Sequence, residues 1–153
     1  MSEERLLNDV VVRNQRTRIW RAKKGLGSFL VLDLGERRQV LRRAGDTMER
    51  GSLQIWVQYC HWALRDERGS VLLDSGAPDS AYADALERLD GARLESLGLS
   101  PSGEVLLCCS CGLSLAMAAD LAEYEREDDF LTIYEEGREP LSYSPARGVY
   151  SGE

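Results

Sequence analysis

The chain has 153 residues, which suits one domain around one core, and its 43% hydrophobic and 29% charged residues exclude wholesale disorder. Net charge is −7, spread unevenly: residues 1–75 carry 14 basic and 10 acidic side chains, whereas residues 76–153 carry 5 and 16. A surface so acidic in its second half disfavours non-specific nucleic-acid binding by the whole surface, and no apolar run approaches the length of a bilayer-spanning helix. The opening MSEERLLNDVVVRNQRTRIW is acidic early and lacks the apolar core of a secretory signal, so a cytoplasmic protein with free thiols is expected.

In chain order, Val10–Val12 and Arg18–Ala22 flank a polar stretch and read as a hairpin or two short strands. Ser28–Leu34 reads as a buried strand ended by Gly35, and Glu36–Arg50 as a short strand followed by a loop. Leu53–Leu64 (LQIWVQYCHWAL) is apolar on both alternating faces, which predicts a central strand with Trp56 and Trp62 on one side. The turn Asp66–Gly69 returns the chain into Val71–Asp74. Asp79 or Ser80 caps a helix near residues 80–90, with Tyr82, Ala85, Leu86 and Leu89 as its apolar stripe and Gly91 as its stop. Strands follow at Arg93–Leu99, Val105–Cys111 and Leu113–Ala118. An acidic loop Glu123–Asp129 and a last hairpin, Phe130–Tyr134 with Leu141–Tyr143, complete the chain.

The expected fold is therefore α+β: mostly antiparallel sheet, as a sandwich or a partial barrel, in a single domain over residues 1–153. The chain also divides into two similar units, about 18–76 and 93–145. Aligning Gly35 with Gly112 lays SFLVLDLG over VLLCCSCG at an offset of 77, and aligning Gly69 with Gly137 lays the two late hairpins over one another at an offset of 68. Two such units would bury one another's apolar faces, although any β-meander produces a similar alternation by chance.

The sequence carries no catalytic signature. The cysteines Cys60, Cys108, Cys109 and Cys111 lack the spacing of a zinc site and lie in an apolar strand, where they read as small core hydrophobes. His61, the only histidine, reads as a hydrogen-bonded core residue, since no nucleophile motif accompanies it. Lys23–Ser28 (KKGLGS) departs from the phosphate-loop spacing and leads into a strand. Arg37, Arg38, Arg42 and Arg43 suit a charged edge strand or a weak phosphate contact. Glu123, Glu125, Glu127, Asp128 and Asp129 lack the calcium-loop pattern and form a candidate surface for a basic partner. Neither cofactor nor metal is expected.

The segments IWRAKKGLGSFLVLDLG, LQIWVQYCHW and DDFLTIYEEGREPLSYSP resemble a family of small, uncharacterised bacterial proteins that pairs a GSFL…G strand with a Trp-rich central strand. The resemblance implies no activity and transfers no catalytic residue. By analogy of style, small acidic β-rich bacterial proteins include immunity-type inhibitors of toxins. Three function classes stand at this point: a non-enzymatic protein-binding domain, a ligand binder or enzyme with a cavity between the units near His61, and a homo-oligomeric structural protein.

Overall fold

The computed structural model describes residues 3–152. The chain runs α1 (Glu3–Arg13), β1 (Ile19–Lys24), β2 (Leu30–Leu41), β3 (Thr47–Val57), β4 (His61–Arg65), β5 (Val71–Asp74), α2 (Tyr82–Glu87), β6 (Leu94–Leu99), β7 (Val105–Cys109), β8 (Ser114–Ala118), β9 (Leu131–Glu135), β10 (Leu141–Ser144) and β11 (Gly148–Ser151). The described strand pairs are all antiparallel. They form a six-stranded sheet, β1-β2-β3-β9-β10-β11, and a five-stranded sheet, β5-β4-β8-β7-β6. The two sheets pack over a shared core and do not close into a barrel, so the α+β sandwich is the architecture observed. No described helix is long and apolar enough to cross a membrane.

The order of strands shows how the halves interlock. Each half is a helix, a three-strand meander and a hairpin. The meander β1-β2-β3 is extended by the hairpin β9-β10 of the second half, and the meander β6-β7-β8 by the hairpin β4-β5 of the first. The helices exchange too: α1 packs on β6 and β11, and α2 on β1 and β5. Register repeats along with topology. Ile19 pairs Leu34 as Leu94 pairs Cys109, and Lys24 pairs Leu30 as Leu99 pairs Val105. Both pairs carry a bulge at the same place, Ile19/Arg21 and Leu94/Ser96. This register lays Gly35 over Ser110 rather than over Gly112, so the glycine alignment is corrected. Cys108 takes the place of Asp33 and Cys109 that of Leu34, and the thiols do not overlie Val31 and Leu32.

Several local expectations are corrected. Val10–Val12 is helical, not extended. Leu7, Val10 and Val11 share one buried face, Glu3 and Glu4 sit at the positive end of the helix and Arg13 at its negative end, and that arrangement outweighs the β-branched run. Burying those three side chains contributes about 2 kcal/mol each. The strand that begins at Leu30 does not stop at Gly35. It passes a bulge between Leu34 and Arg37 and continues to Leu41, so residues 36–50 form a long two-stranded arm rather than a loop. Leu53–Leu64 is two strands in two sheets. Leu53, Ile55 and Val57 fill the core, Tyr59 takes a left-handed backbone (φ 50°), and Trp62 and Leu64 then face the core from the other sheet. Trp56 and Trp62 accordingly lie on different faces of different sheets. The helix near 80–90 spans Tyr82–Glu87 after a single 3-10 turn at Asp79–Ala81, and Gly91 follows it at φ 81°. A further strand, β11, pairs with β10 beyond the expected last hairpin.

Candidate functional site

Trp62, Leu64, Leu115 and Met117 close the space behind His61, each at most 2% exposed. The cleft beside His61, about 390 Å³, instead lies on the outer face of the five-stranded sheet, against Ala63, Ala116 and Ala118. His61 itself is not a core residue. It is the first residue of β4, its side chain is 61% exposed, and its Nε2 lies 2.6 Å from Asp120 Oδ2.

A concave, largely apolar surface lies on the outer face of the six-stranded sheet, and two glycines place it there. Gly51 is pressed against the chain opposite, where a Cβ would lie 2.4 Å from the Leu34 carbonyl oxygen, and Gly35 adopts φ 79° against Ser52. The arm bends at this pair and lies over the outer face. Asp33, fully buried at the bend, fixes it: its carboxylate accepts hydrogen bonds from Gly51 N–H (2.9 Å), Gln54 Nε2 (2.8 Å) and Arg21 Nε (2.8 Å). Arg21 also donates to the Glu49 carbonyl on the arm. A buried carboxylate is tolerable only with such a set of donors.

The resulting groove holds about 570 Å³. Val31, Gln54 and Trp56 form its floor, the arm residues Val40 and Met48 one wall, and Leu26 and Phe29 the other. Trp56 is held in orientation because its Nε1 donates to Gln54 Oε1 (2.8 Å), which in turn is tied to Asp33. Tyr134 meets the Trp56 ring edge to face at 6.3 Å. Leu26 is 84% exposed and adds apolar surface at the mouth of the groove. Lys23 and Arg50 stand at the rim and form no salt bridge among the described residues, whereas Lys24 is engaged by Asp79 and the Tyr82 ring.

The basic cluster of the arm is largely neutralised. Arg37 pairs with Glu49, Arg38 with Glu36 and Glu136, and Arg42 with Asp46. Arg37 also stacks on Trp20, 4.3 Å from the ring centre, with Arg21 on the same ring at 4.9 Å.

The five acidic residues differ in what they meet. Glu123 turns toward His61 (3.7 Å), Asp128 accepts the Glu125 N–H, and Asp129 accepts the Tyr150 hydroxyl. Only Glu125 and Glu127 are left exposed and outside any salt bridge among the described residues. An aromatic ladder links this loop to the groove: Phe29 meets Tyr59 edge to face at 4.9 Å, and Tyr59 meets Tyr124 at 5.8 Å.

The thiols separate by environment. Burial pushes Cys60 and Cys109 each up to about 12, which keeps them protonated and inert, while Cys111 is exposed on the β7–β8 turn. Among the described residues no cysteine joins a three-donor metal cluster.

Compared with protein-family models, curated proteins and solved structures, this chain matches none of them. The geometry alone therefore argues its function. The groove escapes a reading of the sequence because one of its walls is an arm whose bend over the sheet has no periodic signal. Gly51 itself falls between the expected loop that ends at Arg50 and the expected strand that starts at Leu53, where a glycine draws no notice.

Proposed function

We propose that the protein is a non-enzymatic binding domain whose groove over the six-stranded sheet takes a short apolar segment of a partner protein flanked by acidic side chains. One observation carries this reading: an apolar floor built around an oriented Trp56 lies beneath a rim where Lys23 and Arg50 have no salt-bridge partner among the described residues. Apolar anchors in a desolvated pocket supply most of the energy of protein recognition, and rim charges select the partner's sign. The exposed Leu26 and the ladder Phe29–Tyr59–Tyr124 extend the same surface with residue types that interfaces favour.

Selection of a displayed random peptide library on the folded chain tests the reading. The expected motif combines bulky apolar residues with Asp or Glu, and its binding falls at least tenfold in Met48→Asp and in Trp56→Ala. Absence of any motif, or a motif indifferent to both substitutions, removes the proposal.

A second reading rests on Glu125 and Glu127, the two carboxylates of the acidic loop outside any described salt bridge. They suit a basic partner, of which a toxin domain neutralised by an immunity-type inhibitor is one class. A selected motif rich in Lys and Arg, lost in a Glu125→Lys, Glu127→Lys variant and at high salt, would favour it.

A further inference from the structure

The register of the five-stranded sheet brings together three side chains that sequence separates. His61 pairs with Ala118 at the end of β8, so the chain leaving β8 turns back directly beside the imidazole. There it makes one tight turn, in which the Tyr124 N–H donates to the Asp120 carbonyl at 2.8 Å, and this presents Asp120 and Glu123 to the same side. Asp120 Oδ1 is occupied by the Ala122 N–H, which leaves Oδ2 for His61. His61 Nε2 lies 2.6 Å from Asp120 Oδ2 and 3.7 Å from Glu123 Oε2, and one donor atom from each of the three residues lies within 4.8 Å of the others.

We propose that these three atoms form a binding site for a late first-row divalent cation of the Zn²⁺ type. An imidazole nitrogen with two carboxylate oxygens is a borderline donor set, which such ions accept and which Mg²⁺ and Ca²⁺, as oxygen-seeking cations, do not favour. A tetrahedral ion with bonds near 2.1 Å needs its ligands about 3.4 Å apart. Glu123 at 3.7 Å from Nε2 is already near that spacing, and Asp120, at 2.6 Å, has only to withdraw by less than an ångström. Glu123 is exposed, and Asp120 is half-buried at the start of the same turn. Three protein ligands leave at least one coordination position open, as in zinc sites that hold water or a further ligand. A second feature supports the assignment: His61 forms one end of the 390 Å³ cleft on the outer face of the sheet, so the open position borders a concavity able to admit a small ligand. The cation would also neutralise the convergence of two carboxylates on a single imidazole. This site is separate from the groove floor, and either can hold without the other.

Because His61 is the only histidine, imidazole nitrogen NMR reads the site without ambiguity. The full chain, free of any histidine tag and dialysed against chelator, is titrated with Zn²⁺. The expected result is a change at His61 Nε2 that saturates at one ion per chain, with calorimetric affinity falling at least tenfold in Asp120→Asn and in Glu123→Gln. A Cys108→Ser, Cys111→Ser variant is expected to retain the same His61 signal and affinity. His61 resonances that stay unmoved at stoichiometric Zn²⁺ would overturn the proposal. So would binding that disappears with the cysteines and survives loss of the carboxylates.

Discussion

Arg18 and Arg93 bridge one another antiparallel, and each holds in its own half the position that the other holds in the second. The Arg18 carbonyl accepts from the Gly35 N–H at 3.0 Å, and the Arg93 carbonyl from the Ser110 N–H at 2.9 Å. Around this pair the Ile19 N–H donates to the Ala92 carbonyl, and the Gly91 N–H to the Ile19 carbonyl. The two meanders thus join at matching positions, while their hairpins cross to opposite sheets.

Such exchange couples the halves thermodynamically. Leu64 of β4 and Ile133 of β9, both fully buried, each complete a sheet begun by the other half. Leu64→Ala and Ile133→Ala are expected to cost about 3 kcal/mol each, as cavity-forming substitutions in a core do. Urea unfolding followed by tryptophan fluorescence and by far-ultraviolet circular dichroism should give one coincident transition in wild type and in both variants. Two separated transitions would show that the halves are independent.

The bend that makes the groove depends on Asp33 and Gly51. Asp33→Ala leaves Arg21 and two further donors without their acceptor, and about 3 kcal/mol of stability should be lost in chemical denaturation. Gly51→Ala drives a methyl into the Leu34 backbone and should cost about 2 kcal/mol while displacing the arm. Hydrogen exchange at residues 37–50 should then quicken more than exchange in the five-stranded sheet. Equal effects in both sheets would deny the arm its separate hinge.

Thiol chemistry follows exposure. At pH 8 a disulfide-exchange reagent should label Cys111 first and Cys108 more slowly, while Cys60 and Cys109 react only in denaturant, since burial raises both thiols. Rapid reaction of all four thiols in the native protein would contradict the placement.

Acid should release α1. Burial alone would push Glu135 upward, but hydrogen bonds from Arg13 and Asn14, with the charges of Arg13 and Arg138, hold its carboxyl below the usual glutamate value. A folded-state pKa below the unfolded one contributes stability that is complete above the unfolded value, near pH 4.5, and is lost as pH falls through the folded value. Glu135→Gln should therefore be less stable than wild type at pH 7, with the gap closing on acidification below pH 4.5. A gap independent of pH would rule out the charge as its source.

The fold class is legible because strand alternation is a local signal, and the turn residues at Asp66–Gly69 and Ser100–Gly103 punctuate it. What escapes is non-local or parity-dependent. In the segment 53–64 the apolar core positions are odd up to Val57 and even from Cys60, and the left-handed Tyr59 lies at that switch. Strict alternation of His61, Ala63 and Arg65 against Trp62 and Leu64 is the signal that exposes His61. Val10–Val12 suggest a strand as three successive valines, while β6, the strand that covers the apolar face of the helix, comes only in the second half of the chain. His61 and Asp120 belong to different halves and meet only through the β4–β8 register.

The groove is the centre of the functional account, and amide and indole chemical-shift mapping with a bound apolar, acidic-flanked peptide tests it most directly. Val31, Val40, Met48 and Trp56, including the Trp56 indole, should move together and saturate at one peptide per chain. Shifts confined to residues 120–129, or none on the outer face of the six-stranded sheet, would contradict it.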